Sequence, residues 1–330
     1  MNSGSPLVKV VAAWLSAVMI VAVGVGVAIT QVNQRVFGPQ RVVMDYFGHL
    51  QAGEGALALG MLGTGSPDGN ALLVDGDGLR AATSAIEDFE VESLERAAGG
   101  DATVTTAYSV DGRRYQTQFR LEHAGTEWLF FDRWRLVSPG PQVLRVTADT
   151  TNEFTVNGLA SPLADGAQDL PVLLPAVVTA SYEEKYFEAA EERRIVNSPS
   201  GVRTPLGLVT RPTQALTDDI SAELKAYLDR CAEQQVLKPA ACPLSYDTNA
   251  RVEASTINWD IVGYPKVEVA AHEGGWVLNP LEVGTRITLV EQDLMTGLKE
   301  ERSVEAGFGF TASLSVGTDS LRVVPQPVDQ

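Results

Sequence analysis

Between Lys9 and Arg35 the chain carries no charged side chain, and the stretch Val10 to Ile29 (VVAAWLSAVMIVAVGVGVAI) is almost wholly apolar. As an α-helix, about 20 residues at ~1.5 Å each reach roughly 30 Å, the hydrocarbon thickness of a bilayer. Gly24 and Gly26 lower helix propensity in water but are common in membrane helices. A cleaved signal peptide is the rival reading; its apolar core usually covers only ~7–15 residues. Gly26-Val27-Ala28 offers a weak cleavage site, but the apolar run is longer than such a core. No Cys follows the run closely, which excludes a lipoprotein anchor. The expectation is an uncleaved signal anchor: a tail over 1–9, a transmembrane helix over 10–30 seated in the lipid bilayer, and folded domains beyond it.

Charge alone orients such a helix weakly, because Lys9 and the N-terminal amine oppose only Arg35 and Arg41. The cysteines carry more weight. Cys231 and Cys242 are the only two in the chain and flank a Lys-Pro turn (VLKPAACP). A sparse pair at short spacing suits a disulfide in an oxidising compartment. Two unrelated buried thiols is the plainer alternative. Zinc would need two further ligands, and His49, His123 and His272 are scattered singly. The expected topology is a single-pass protein of the cell membrane, N-terminus cytoplasmic and C-terminal domains extracytoplasmic.

The chain has 42 acidic residues against 25 Lys+Arg, a formal charge of −17. An acidic surface repels phosphate backbones, so nucleic acid is excluded as a partner. With 330 residues and 45% hydrophobic content, the chain has material for two or three packed domains.

Three blocks are expected after the apolar run. In the first, over 38–140, Pro39 opens a helix whose stripe is Val42, Val43, Tyr46, Phe47 and Leu50. Gly55 to Leu62 and Leu79 to Ala85 read as further helices. Val104, Thr106, Tyr108 and Val110 then alternate, Asp111-Gly112 marks a turn, and Tyr115, Thr117, Phe119 and Leu121 continue the alternation, a β-hairpin pattern. A third strand, Trp128 to Val137, is expected after a turn at Gly125. Helices on one face of an antiparallel sheet make an α+β domain.

The run MDYFGHLQAGEGALALGML, a short helix, and hairpin strands ending in WLFFDRW resemble the nuclear-transport-factor-like cone fold. More narrowly, they resemble the small ectodomains of that fold behind one membrane helix in actinobacterial envelope proteins, a family of unknown function. The resemblance covers the first block only and implies fold, not activity.

The second block, over 142–211, is expected to be a small β-rich domain with a turn at Asn157-Gly158. Its FTVNG and LPVLLPAVV segments resemble the β-sandwich inserts of the same envelope proteins, departing at Pro175-Ala176, where that family has Pro-Gly. SYEEKYFEAAEERR is read as exposed strand or loop despite its helical propensity. The third block, over 213–326, opens with Thr217 as N-cap and a stripe of Ile220, Leu224, Tyr227, Leu228 and Cys231, followed by strands. His123-Ala-Gly-Thr-Glu-Trp128 and His272-Glu-Gly-Gly-Trp276 place a turn and a Trp in the same order. Duplication of the first fold and coincidence both remain open.

Chemistry is sparse. Asp75-Gly76-Asp77-Gly78 matches half a calcium loop, but its twelfth position is Ile86 and not Glu, so an acidic turn is expected. No phosphate-cradling loop, nucleophile elbow or zinc motif is present, and neither cofactor nor metal is expected. Asp132 shares a strand face with Trp128, Phe130, Trp134 and Leu136. In cone-fold enzymes such as ketosteroid isomerases an Asp of this kind acts as a base, because an apolar wall favours the protonated carboxyl. A bulge or a pairing with Arg133 or Arg135 would instead make it structural. The leading expectation is a non-enzymatic envelope protein that binds or spaces a partner protein or cell-wall component. The alternative is a small-ligand binder or enzyme using Asp132. A signalling receptor is disfavoured, since so short a tail holds no output domain.

Overall fold

The computed structural model describes residues 6–35, 37–67, 69–97, 99–127, 131–138, 140–148, 151–199, 201, 203–272, 275–317 and 320–327. Helix α1 runs Pro6–Arg35; among its described side chains Trp14, Leu15, Met19, Ile20 and Val21 are largely exposed. Among the described residues no helix is long and apolar enough to cross a membrane. This corrects the expected transmembrane helix over 10–30, the signal anchor, and the single-pass cell-membrane location built on them. A span needs about 20 continuously apolar residues in one helix, and the described residues hold no such helix.

The expected α+β class is corrected too: the chain is mostly β, 47% strand against 24% helix. Pattern reading undercounts strands whose apolar period is interrupted. In EDFEVESLER (β1, Glu87–Arg96 below) Phe89 and Val91 alternate, but a register shift between Val91 and Ser93 breaks the period before Leu94, and all three pack on the core.

Helix α2 (Pro39–Ala52) starts on Pro39, where the missing N–H would be unpaired anyway. It buries Val43, Tyr46, Phe47 and Leu50, one stripe at helical spacing. Helices α3 (Gly55–Leu62) and α4 (Gly76–Ser84) follow. Strands β1 (Glu87–Arg96), β2 (Ala102–Val110), β3 (Arg113–Glu127) and β4 (Phe131–Val137) pair antiparallel in that order. At the β2–β3 turn Val110 faces Arg113, and Asp111 and Gly112 take φ of 50° and 72°. Two left-handed residues make the type I′ turn that matches strand twist. The expected turn at Gly125 does not form: β3 continues to Glu127, with an irregular register between His123 and Thr126.

Short strands come next: β5 (Gln142–Thr147), β6 (Glu153–Val156), β7 (Leu159–Pro162), β8 (Ala167–Val172), β9 (Ala176–Glu183), β10 (Phe187–Val196), β11 (Thr204–Gly207) and β12 (Thr210–Pro212). They form a three-stranded sheet, β11-β5-β8, and a five-stranded sheet, β12-β10-β9-β6-β7. The charged segment SYEEKYFEAAEERR is strand over most of its length, in β9 and β10. Pairing with neighbours outweighs its local helical preference. At the β6–β7 turn Asn157 holds φ 45°, and its Oδ1 accepts the Thr179 N–H at 2.7 Å.

Helix α5 (Gln214–Ala232) begins earlier than expected. Thr213 is its cap, accepting from the Leu216 N–H at 3.4 Å, whereas the Thr217 hydroxyl donates to Gln214 O. The remaining strands are β13 (Arg251–Val252), β14 (Asn258–Gly263), β15 (Val269–His272), β16 (Gly275–Leu278), β17 (Leu281–Gln292), β18 (Lys299–Val316) and β19 (Leu321–Pro327). A sheet runs β13-β17-β18-β19, with β14 also on β17; β15 and β16 form a separate hairpin. Trp128, Glu273 and Gly274 of the two echoing turn motifs lie outside the described residues.

The chain divides into two compact units: 1–147 with 155–180 and 192–207, and 148–154 with 181–191 and 208–330. The first unit's core packs α2 and α3 onto Val104, Tyr108, Phe119, Leu121 and Leu136 of the first sheet. In the second, Leu216, Ile220, Leu224 and Leu228 of α5 meet Trp259, Val283, Ile287 and Phe310. Burying a side chain of this size contributes about 1.5–3 kcal/mol, so each unit has a substantial core of its own.

Candidate functional site

The sequence places Asp132 on the face of β4 that also carries Trp134 and Leu136, and the structure shows what the strand pair does with it. On β3 and β4, His123 faces Trp134 while Thr126 faces Asp132. Three steps along β3 match two along β4, so β3 holds one extra residue, a β-bulge. The bulge re-aims the His123 ring: Nε2 lies 3.3 Å from Asp132 Oδ1, with Trp134 edge-on to the ring at 5.5 Å. The His and Asp side chains are 37% and 38% exposed. Trp128 and Phe130, the other two residues expected at this pocket, lie outside the described residues. His123 as the partner of Asp132 is what sequence reasoning missed. A tight turn at Gly125 would have separated them, and only the bulged register joins them.

An apolar hollow lies against the inner face of the same unit, bounded by Tyr46, Leu62, Phe119, Leu136 and Leu173, and Asp132 is not in its lining. Its volume is about 40 Å³, room for a few waters, whereas small-molecule sites take ~300–1,000 Å³. Burial alone drives the Tyr46 phenol far above its ordinary pKa. Tyr108 is pushed up to about 12, chiefly by burial, against the lowering effect of its hydrogen bond to Thr117. That bond is 3.1 Å, and the Thr117 hydroxyl also donates to Asn197 O at 2.9 Å. The Tyr108 and Thr117 hydroxyls are thus paired within the fold, which is the condition for keeping them inside at little cost.

In the second unit, Cys231 and Cys242 are joined by a disulfide, Cα to Cα 5.8 Å, pinning the end of α5 to the following loop. A surface hollow of about 470 Å³ is edged by Glu153, Tyr182, Glu184 and Tyr186. Beside it Lys185 reaches Asp219 at 3.1 Å and the Tyr186 hydroxyl at 2.8 Å. Hydrogen bonds from Lys185 and then Tyr186 hold the Asp219 carboxyl below its usual range. Asp75 and Asp77 of the acidic turn are engaged structurally, Asp75 with the Gly55 N–H and Asp77 with Arg80. Among the described residues no three His, Cys, Asp or Glu side chains converge as a metal site. No protein-family model matches the chain, and neither a curated protein nor a solved structure does.

Proposed function

We propose that this protein acts by binding, as a non-enzymatic module that holds or spaces a partner protein. One observation carries the reading: Asp132 stands half-exposed against His123, while the hollow beneath its sheet is about 40 Å³ and lined by other residues. Acid–base catalysis needs a carboxyl within hydrogen-bond reach of a substrate in a water-excluding site, and that arrangement favours a structural pair instead. The net charge of −17 turns the same reading away from nucleic acid and toward proteins.

The second reading, an enzyme at Asp132, draws on the His123 contact, since a carboxylate can orient an imidazole as a general base. Complementation of a deletion strain by Asp132→Asn and His123→Ala, read beside the melting temperature of each variant, separates the two. Full complementation by both variants supports binding. Unchanged melting with lost complementation transfers the function to the His–Asp pair.

A further inference from the structure

The hollow of about 470 Å³ in the second unit joins three stretches far apart in sequence: 151–153 at the start of β6, 182–187 across the β9–β10 turn, and 316–317 at the end of β18. Its lining combines three aromatic side chains, Tyr182, Tyr186 and Phe187, with two carboxylates, Glu153 and Glu184. Its volume falls within the ~300–1,000 Å³ of small-molecule sites.

The walls are held from behind. The Tyr186 hydroxyl donates to Asp219 Oδ2 at 3.0 Å and accepts from Lys185 Nζ at 2.8 Å, and the residue is 4% exposed. Phe187 stacks on Trp276, ring centroids 4.9 Å apart. The Glu184 N–H donates to Phe187 O at 2.9 Å, and the Thr151 hydroxyl donates to Glu153 O at 2.8 Å. Walls fixed in this way lose little further entropy when a ligand arrives.

The charges at the hollow do not balance. Lys185, beside it, pairs with Asp219 at 3.1 Å. Glu153 and the half-buried Glu184 form no ion pair and no side-chain hydrogen bond among the described residues. Two such carboxylates repel an anion, and a neutral ligand would desolvate them without compensation. A calcium ion takes six or more oxygens, and among the described residues no third carboxylate or imidazole converges here. An organic cation suits both kinds of wall: its charge meets the carboxylates, and its alkyl groups lie on rings whose faces are negative. Within this fold Lys185 Nζ already lies 4.4 Å from the centre of the Tyr186 ring.

We infer that this hollow is a binding site for an organic ammonium ion, with Glu184 and Glu153 countering its charge and Tyr182, Tyr186 and Phe187 packing its alkyl groups. A free amine and the lysine side chain of another protein carry the same chemistry. The site goes beyond the holding of a partner protein described above and stands without it.

NMR titration of the full chain tests the site with three probes: choline, lysine amide blocked at its α-amine, and neohexyl alcohol, the uncharged carbon isostere of choline. The expected result is that both ammonium probes shift the amides of 182–187. Choline binds at least about tenfold more tightly than its isostere, since only the charge differs. Glu184→Gln weakens choline about tenfold, and the more exposed Glu153→Gln about threefold. Tyr182→Leu weakens it about fivefold through the lost ring face. The glutamine substitutions keep size and polarity, and an unchanged melting temperature shows that these variants fold. The tighter of the two ammonium probes names the source, a free quaternary amine for choline and a protein lysine for the blocked amide. An isostere that binds as well as choline overturns the proposal. So do ammonium probes that leave 182–187 unshifted, or an affinity that neither glutamine variant changes in folded protein.

Discussion

Asp75 Oδ1 accepts the backbone N–H of Gly55 at 2.9 Å, tying the first turn of α3 to the start of α4 across 20 residues of chain. Beside it the Gly76 N–H donates to Gly53 O at 2.9 Å. The acidic turn that resembles half a calcium loop is therefore a helix start used as a clamp. The clamp needs glycine at 55, because a Cβ there would lie 1.8 Å from Val74 O. Gly55→Ala is expected to cost about 2–3 kcal/mol, since backbone and not a movable side chain blocks the methyl. Gly60→Ala in the same helix meets nothing within 4 Å and is expected to add about 0.5–1 kcal/mol through helix propensity. Urea midpoints of the two variants should move in opposite directions; a shared direction would refute the clamp.

Alkaline pH should unfold the first unit through its tyrosines. Tyr46 and Tyr108 both have folded-state pKa values raised by burial, Tyr108 to about 12, above the unfolded value of ~10. The neutral phenol is the form the fold accepts. The stabilisation is thus complete below pH ~10 and is lost as pH rises from there toward 12, where the unfolded chain releases protons that the folded one retains. Tyr108→Phe should flatten the fall in denaturation midpoint between pH 9.5 and 11.5 (about two units of pH), while lowering the neutral-pH midpoint because Thr117 loses a partner. An identical alkaline slope in Tyr108→Phe would remove this residue from the explanation.

Reduction should loosen the second unit. The Cys231–Cys242 bond closes a loop of sequence separation 11, and loop-closure entropy puts its contribution at about 3 kcal/mol at most. Guanidinium denaturation of oxidised and reduced protein, with Cys231→Ala/Cys242→Ala as a thiol-free control, measures it. The first unit's transition should not move, and a shift there would show that the bond acts beyond its own loop.

Asp132→Asn should cost less than about 1 kcal/mol. Its contact with His123 is 3.3 Å long and more than a third exposed on both sides, and exposed pairs contribute little after solvent screening. Calorimetry of the variant checks this directly: a loss above ~2 kcal/mol would mean that the carboxylate supports the bulge more firmly than its exposure suggests.

Local chemistry alone determined several elements. Pro39 with the Val43–Tyr46–Phe47–Leu50 stripe marks α2, Asp111-Gly112 between alternating apolar residues marks the β2–β3 turn, and Leu224, Leu228 and Cys231 mark the buried side of α5. In each, the period of the apolar residues equals the period of the backbone, so the signal resides within a few residues. Tertiary structure decided the rest. Strand β1 has only a short, interrupted apolar period, Phe89, Val91 and Leu94, whose register is set by pairing with β2 and packing on the core. The register that brings His123 to Asp132 depends on one extra residue in β3, which pairing selects and propensity does not. In the β17–β18 loop, Leu294, Met295 and Leu298 are apolar residues that the sequence alone does not place inside or outside. Only the folded loop, with the hydrogen bonds converging on Asp293, leaves those side chains exposed, because burial belongs to the packed chain and not to the residue.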